Sequence, residues 1–403
     1  MSRHLARGPV GARERALAPD LARGFMLLLI VIANTPWYLW GRAGERVSAH
    51  PPSESFIDQL TQGLIITTID LRVYPMFAFL FGYGIVQLYL RQQAAGTDER
   101  TARNLLQRRN FWLLIFGFVH AALLWFGDIL GAYGLAGLLL VWLFLRRRDG
   151  TLLVWSAIGA GVLVALTLLT FAAVSATPEG EAEEAFNLYG VIEAANGEPN
   201  YLASMITRIS FWAFLIVFQG LLTLAVPIAI LLGIWAARRR ILEEPGAHLP
   251  LLRRVAVIGI GTAWIGGGVT ALAKLGVWDV PEGAVQAFEL VQVTTGLAGG
   301  VGYVALFGLV GHRLQGRTLG TFGAAVNALG KRSLSGYLAQ SILCAPILAA
   351  WGFGLGQHMG SANLFLYAVA VWVLTVIGAY MLEKRNQRGP AEVVLRRLTY
   401  GKQ

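Results

Sequence analysis

Three residues with proton-transfer chemistry interrupt the apolar stretch FVHAALLWFGDILGAYGLAG, residues 118–137: His120, Asp128 and Tyr133. A neutral histidine acts as a general base near physiological pH. An ionisable residue near the centre of a bilayer costs on the order of 3 kcal/mol, so it usually faces a cavity or a partner. The stretch therefore predicts a polar cavity, with His120 and Asp128 as candidate catalytic residues.

Structural interpretations of the same two residues remain open. A neutral His120 imidazole bonded to a neighbouring helix is one, and Asp128, after Gly127 at a span boundary, is placed to cap the next helix. His120 lies about 14 Å along its predicted helix, close to the bilayer midplane. The helical rise of the following residues places Asp128 about 12 Å further, less than a quarter-turn away.

The first apolar run opens with a second polar group, ALAPDLARGFMLLL. Asp20 and Arg23 are three residues apart on one helical face, where a local ion pair is expected. The functional alternative places Arg23 at the cytoplasmic mouth of a site, with Asp20 fixing its guanidinium. Asn34, further along the same run, needs a polar partner inside the membrane.

Further basic residues are candidate ligands for anions. Arg72, at the start of the second run, is a candidate for a carboxylate, and snorkelling to the outer headgroups is its alternative. A further group of basic residues has two interpretations, as phosphate ligands or as charges that only set the topology. The group consists of Arg108, Arg109, Lys331 and Arg332. Lys274 and Glu289 flank a predicted outer loop and are expected at the interface.

Membrane-spanning helices are the elements that must position these residues. Of the 403 residues, 56% are hydrophobic and 14% are charged, whereas a soluble domain carries roughly 25% charged residues. Repeated apolar runs of bilayer length predict an all-α polytopic membrane protein with about ten spans. They cover 24–40, 72–91, 111–127, 129–145, 152–174, 208–236, 255–275, 287–311, 333–352 and 363–382.

The distribution of lysine and arginine orients the spans. With the N-terminus inside, the inside segments hold 28 of the 33 basic residues, so the positive-inside rule predicts that both termini are cytoplasmic. The same pattern explains the net charge of +10, and no nucleic-acid partner is expected. The single cysteine, Cys344, excludes an internal disulfide and a cysteine-based zinc site, and no metal is expected.

The predicted organisation is a single transmembrane domain, residues 1–403. It begins with a cytoplasmic tail (1–23) and the first four spans (24–145), and it continues through an acidic external loop (175–206) to the C-terminal spans and tail (207–403). Residues 54–69 are too polar and too short to span, which predicts an interfacial or re-entrant helix. The sixth run is long enough to span with tilt, and Pro227 is its candidate kink. Gly296 and Gly300 fit small-residue packing between helices.

Four blocks of the sequence resemble the YeiB-like membrane proteins, the family of domain of unknown function 418. They are DLARGFMLLLIVIANT, YPMFAFLFGYG, HAALLWFGDILGAYGLAG, and LGKRSLSGYLAQSI together with the tail RGPAEVVLRRLTYGK. The sequence departs from the family at Arg72, where lysine is usual, and at Gly336, where asparagine is usual. It also has Val393 and Val394 where the family tends to carry tryptophans.

The resemblance implies kinship with transmembrane acyltransferases, including the acyltransferase-3 proteins and the lysosomal heparan-glucosaminide acetyltransferase. Those proteins move an acyl group from cytoplasmic acyl-CoA to an acceptor across the membrane, using a polar channel and a histidine. For this chain it implies a multi-pass protein of the bacterial cytoplasmic (inner) membrane, with acyl-CoA (acetyl-CoA) as donor. The candidate donor ligands are Asp20, Arg23, Arg108 and Arg109.

The implied acceptor is a small molecule or a glycan, such as a lipid-linked sugar. Its candidate ligands are Asn34, Arg72, Tyr74, Tyr133, Tyr337 and Gln340. His50 is an alternative base, because the lysosomal relatives keep their histidine between the first two spans. Its surroundings, SAHPPSE, are typical of an exposed loop, which favours His120. The bilayer is the expected partner, and a homodimer is a candidate assembly.

A membrane transporter is the competing function. A histidine near the midplane and an acidic residue along the same helix also fit a proton relay. The sequence lacks a pair of Gly/Pro-interrupted spans in matching halves, a feature of many secondary transporters.

Overall fold

The computed structural model describes residues 17–41, 49–52, 55–176, 188–278, 280 and 282–401. In these ranges the regular secondary structure consists of helices, and there are no strands. The helices are α1 (Leu17–Asn34), α2 (Phe56–Thr68), α3 (Val73–Ala94), α4 (Glu99–Leu123), α5 (Leu130–Phe144), α6 (Asp149–Ala176), α7 (Leu188–Asn196), α8 (Tyr201–Val217), α9 (Ala225–Arg238), α10 (Leu249–Lys274), α11 (Glu282–Leu314), α12 (Thr321–Gly330), α13 (Ser333–Leu348), α14 (Ser361–Lys384) and α15 (Pro390–Tyr400).

Seven helical stretches in the described ranges are long and apolar enough to cross a membrane. They contain α1, α2 with α3, α6, α8, α10, α11 and α14, while α5, α9 and α13 are shorter apolar helices. The prediction of an all-α polytopic membrane protein is therefore confirmed. The number of crossings and the cytoplasmic position of the termini stay predictions.

The stretch 118–137 forms the end of one helix and the start of the next. Helix α4 begins where the Asp98 side chain accepts the Thr101 N–H at 2.9 Å, an N-cap that satisfies a free donor of the first turn. The helix ends at Leu123 and α5 begins at Leu130, and the two helices pack against each other. Tyr133 thus lies on the returning helix.

The sixth apolar run is broken, which contradicts the prediction of one continuous span over 208–236. Helix α8 passes into a π-helical turn, Phe218–Leu222, and α9 starts after Leu224, whose φ is +59°. A positive φ is sterically unfavourable for leucine. Pro227 causes no kink, because it lies in the first turn of α9, where a proline has no hydrogen bond to remove.

Two other segments can be compared with their predictions. Residues 54–69 contain the separate helix α2, with Phe56, Ile57, Leu60 and Leu64 exposed on it. The predicted external loop, 175–206, contains α7 and the first turn of α8. Residues 177–187 of that loop and the basic N-terminal residues 1–16 lie outside the described ranges.

Small residues permit close helix contacts, as predicted for Gly296 and Gly300. A Cβ atom at Gly296 would lie 2.4 Å from the Leu71 carbonyl oxygen, and one at Gly300 would lie 2.7 Å from that of Arg72. Any larger residue would force α11 away from the start of α3. The pattern predicted between transmembrane helices is therefore present.

Candidate functional site

His120 and Asp128 form a buried hydrogen-bonded pair. His120 Nδ1 lies 2.8 Å from Asp128 Oδ1, and the two side chains are only 1% and 0% exposed. The predicted spacing of about 12 Å, based on continuous helical rise, is wrong, because α4 ends at Leu123 and the chain folds back on its last turn. The structural interpretation of His120 expected a partner on a neighbouring helix, whereas the ring bonds Asp128, which lies in the connection between α4 and α5.

The other oxygen of Asp128 is also occupied. Its Oδ2 accepts the Gly131 N–H at 2.7 Å and the Trp212 Nε1–H at 3.3 Å. The first bond is made to the first turn of α5, so the capping interpretation of Asp128 is confirmed alongside its bond to His120. Gly131 and Gly117 make room for this arrangement, since a Cβ at Gly117 would lie 2.4 Å from Asp128 Oδ2.

With Asp128 ionised, these bonds indicate which imidazole nitrogen is basic. An ionised carboxylate only accepts hydrogen bonds, so Nδ1 of His120 carries the proton in the bond to Asp128. The lone pair of the neutral ring is then on Nε2. That atom is buried and has no hydrogen-bond partner among the described residues, which leaves it available as a proton acceptor.

A small cavity lies beside this pair and brings together three of the predicted acceptor ligands. Asn34, Tyr337 and Gln340 line it, together with Trp125. Its volume is about 10 Å³, room for roughly one water molecule. The Tyr337 ring meets the His120 ring edge-on at 5.1 Å, which connects the cavity to the pair.

The cavity wall carries unsatisfied polar atoms. Trp125 Nε1 and Gln340 Oε1 are buried without a hydrogen-bond partner among the described residues, although Gln340 Nε2 donates to the Leu27 carbonyl at 3.0 Å. Buried polar atoms are rarely left unpaired in proteins. Together with His120 Nε2, these two atoms indicate a site for water or for a polar ligand.

Arg208, which the sequence interpretation missed, holds the helix end that carries His120. Its fully buried guanidinium donates to the Ala121 and Ala122 carbonyl oxygens at 3.3 and 2.9 Å, and to Ser204 Oγ. Ser204, Arg208 and Trp212 recur every fourth residue, on one face of α8. The available signal was that Arg208 is one of five basic residues outside the predicted cytoplasmic segments.

A second polar cluster, here called the basic cluster, contains Arg23, Arg91 and Arg109. The predicted ion pair between Arg23 and Asp20 is present at 3.3 Å. Arg23 and Arg91 lie close enough to Arg109 to repel its charge. Arg109 Nη1 is buried with no hydrogen-bond partner among the described residues. Two further cations near the unsatisfied guanidinium of Arg109 make this cluster suitable for an anion.

The C-terminal helix α15 closes the basic cluster. It packs on α4 and α13, and Tyr400 near its end lies beside Arg91 and Arg109. Burial raises the pKa of the Tyr400 hydroxyl, and these arginines partly oppose the rise. Glu392 fixes the other end of the helix by accepting the Leu334 and Ser335 N–H groups at 2.9 and 3.2 Å.

The remaining candidate phosphate ligands differ in their positions. Arg108 is exposed and lies beside Gly401. Lys331 and Arg332 both bind Glu383, at 2.7 and 2.6 Å. The structure therefore brings Arg23 and Arg109 together, adds Arg91, and engages Lys331 and Arg332 in a separate ion-pair network.

Aromatic rings pack between the basic cluster and the histidine pair. Arg109 and His120 are eleven residues apart on α4, which places them about 16 Å apart on nearly the same helix face. The Arg109 guanidinium lies over Phe81, 5.4 Å from the ring centre, and Phe81 stacks on Tyr133 at 5.8 Å. The Tyr133 hydroxyl donates to the Tyr74 carbonyl at 2.7 Å.

Arg72 lies apart from both clusters, against α10 and α11. It is fully buried and donates to the carbonyl oxygens of Ile66, Asp70 and Ala263, at 3.0 Å for the first and 2.5 Å for the last. The snorkelling alternative is wrong, because these bonds direct the guanidinium into the protein. Among the described residues, its hydrogen bonds are to backbone carbonyls.

His50 is not in an exposed loop, contrary to the expectation from its sequence. Its side chain is 3% exposed, and Nε2 lies 2.8 Å from Asp70 Oδ2. Residues 42–48 and 53–54 around it lie outside the described ranges. Lys274 and Glu289, expected at the interface, form an ion pair.

Comparison with known proteins identifies relatives along nearly the whole chain. Residues 236–402 match the family described as "Protein of unknown function (DUF418)". The uncharacterized protein YxaH of Bacillus subtilis (strain 168) is 26% identical, over 97% of this chain and 96% of its own. The uncharacterized protein YeiB of Escherichia coli (strain K12) is 25% identical, over 96% of both chains. The family match over the C-terminal part and these two alignments along nearly the whole chain support its similarity to the YeiB-like DUF418 proteins.

Proposed function

We propose that the chain is a transmembrane acyltransferase of a bacterial inner membrane. In this proposal both termini are cytoplasmic, acyl-CoA binds at the basic cluster, and an acceptor hydroxyl or amine approaches His120 from the other side. The orientation rests on the concentration of lysine and arginine in alternate connecting segments. The kinship with acyltransferases rests on the sequence blocks that contain Asp20, Arg23, His120 and Asp128.

The observation that carries the proposal is the bond between His120 Nδ1 and Asp128 Oδ1, which leaves Nε2 without a partner. A base oriented by a buried carboxylate is the arrangement that activates a nucleophile in acyl transfer. His120 Nε2 would take the proton of the acceptor while its oxygen or nitrogen attacks the thioester carbonyl. The thiolate of CoA would leave with that proton, which returns His120 to its neutral state.

The basic cluster supports the donor side of the proposal. Arginines bind phosphate by charge-assisted hydrogen bonds, and Arg109 Nη1 is available for one. The distance of about 16 Å along α4 requires a donor with an extended arm, as the pantetheine chain of CoA provides. Phe81 and Tyr133 lie on this route, so their rings must move when a thioester reaches His120.

Thioester turnover by the purified full-length protein tests the proposal. We expect saturable acetyl-CoA binding and slow hydrolysis, with hydrolysis reduced about a hundredfold or more in His120→Ala and binding retained. Arg109→Gln should weaken binding instead. His358→Ala, at an exposed histidine between α13 and α14, is the matched control. Absence of acetyl-CoA binding by the folded wild-type protein would reject the proposal.

The broken helix supports a second function, a proton-coupled transporter. Discontinuous helices commonly form the substrate sites of secondary transporters, and the break at Phe218–Leu224 follows the α8 face that holds Asp128. Proteoliposomes without CoA distinguish the two functions. Accumulation of a solute driven by a pH gradient, and its loss in His120→Ala, would favour transport.

A further inference from the structure

An apolar groove of about 760 Å³ lies between α12 and the last turns of α14. Phe322, Ile377 and Met381 line it and are 61%, 47% and 59% exposed. Phe322 forms part of an aromatic cluster with Phe25 and Trp372, at ring distances of 6.1 and 6.3 Å. This volume is within the range of small-molecule sites, roughly 300–1,000 Å³.

Two cations lie at one end of the groove, Lys384 and Arg385. Lys384 Nζ lies 5.1 Å from the ring centre of Tyr380, which itself lines the groove, so the ammonium group stays near the groove opening. Neither cation forms an ion pair with a described residue. The adjacent carboxylate, Glu383, is already bound by Lys331 and Arg332.

The positions along α14 match the layers of a bilayer. This helix is one of the candidate spans, and Lys384 and Arg385 lie at its end, where charged headgroups are found. Val376 is nine residues from Arg385 and therefore about 14 Å deeper along the helix, in the acyl-chain region. The groove thus presents cations at headgroup depth and apolar side chains below them.

We propose that the groove binds an anionic phospholipid of the adjacent leaflet, with its phosphate at Lys384 and Arg385 and an acyl chain along Ile377 and Phe322. Two cations without carboxylate partners select a negative headgroup over a zwitterionic one. The apolar side chains of the groove would bind the acyl chain of the lipid. This lipid site is independent of the proposed acyl transfer.

Native mass spectrometry of the purified protein with phosphatidylglycerol or phosphatidylcholine tests the lipid site. We expect one tightly bound phosphatidylglycerol, held about tenfold or more tighter than phosphatidylcholine. The double variant Lys384→Gln/Arg385→Gln should lose this preference. Ile377→Trp, which fills the groove but keeps both cations, should weaken binding of either lipid.

The matched control is Arg253→Gln/Arg254→Gln, at two exposed cations near the start of α10. It should keep the preference for phosphatidylglycerol. Equal binding of the two lipids by the wild-type protein would overturn the proposal. The proposal would also fail if the control variant lost the preference for phosphatidylglycerol as fully as Lys384→Gln/Arg385→Gln. A folded Ile377→Trp variant that retains full binding would exclude the groove as the site.

Discussion

The two nitrogens of His120 have different surroundings, and this difference gives the residue its chemistry. Nδ1 is bonded to a carboxylate, whereas Nε2 is buried without a hydrogen-bond partner among the described residues. Asp128 is held in place by two residues from neighbouring helices. Gly131 of α5 and Trp212 of α8 both donate hydrogen bonds to its carboxylate. Side chains and backbone from three helices therefore hold the carboxylate against the ring.

Asp128→Asn should abolish the base at Nε2 without removing the histidine. The asparagine carbonyl can still accept the Gly131 and Trp212 N–H groups, but its amide then donates to His120 Nδ1. The ring proton moves to Nε2, and that atom no longer takes a proton. We expect thioester turnover to fall about a hundredfold or more, with acetyl-CoA binding unchanged.

Asp98→Asn is the control for this change, because Asp98 caps the other end of α4 and is remote from the histidine. The side-chain ¹⁵N shifts of His120 report the tautomer directly. A variant with wild-type turnover and a protonated Nε2 would show that the bond to Asp128 does not serve catalysis.

At the scale of elements, α8 holds the site in place, although neither His120 nor Asp128 lies on it. Its buried face of Ser204, Arg208 and Trp212 binds the last turn of α4 and the carboxylate of Asp128. The final carbonyls of a helix have no partner within it. Arg208 supplies partners for two of them, inside a region where water is scarce.

Arg208→Gln should destabilise the protein and reduce turnover together. Each buried carbonyl left without a partner costs about 1–3 kcal/mol, so we expect a fall in Tm of several degrees. Arg208→Lys should not restore stability, because an ammonium group lacks the fork that spans both carbonyls. Thermal unfolding measures the effect, with the exposed Arg240→Gln as control. An Arg208→Lys variant as stable as the wild type would show that the forked guanidinium is not required to bind the two carbonyls.

The sequence was sufficient to predict those elements whose signal is local. Apolar runs of bilayer length predicted α3, α6 and α14, and polar residues separated α2 from the span that follows. The position of the break could not be predicted, since the residue that adopts the positive φ is Leu224 rather than the nearby Gly220. The contact between His120 and Asp128 depends on where α4 ends. A distance calculated from the rise per residue assumes that the helix continues, so it could not predict this contact.

At the scale of the whole molecule, contacts between distant segments complete the basic cluster. Arg23 is on α1, Arg91 on α3, Arg109 on α4 and Tyr400 on α15. The positive-inside rule explains each cation by topology, so the sequence could suggest Arg23 and Arg109 as phosphate ligands but could not distinguish them from Arg108. The structure makes that distinction by burial, since Arg108 is exposed whereas Arg109 Nη1 is buried.

The orientation of the molecule can be tested with single cysteines. The native Cys344 is buried and should not react with a membrane-impermeant maleimide. We expect His358→Cys, between α13 and α14, to label in intact cells. Arg148→Cys, between α5 and α6, should label only after permeabilisation, because its segment belongs to the predicted cytoplasmic side. The reverse pattern would contradict the cytoplasmic placement of both termini.

The break between α8 and α9 has a consequence for how the protein is made. Insertion into the bilayer depends on the hydrophobicity of a segment, and helices associate afterwards. Residues 208–236 are apolar throughout their central part, so the insertion machinery meets a single hydrophobic segment. Because α9 packs on α3 and α6, we expect the bend at Leu224 to form when these helices associate. We therefore expect Arg208 and Trp212 to reach their positions around the histidine after insertion, during assembly within the bilayer.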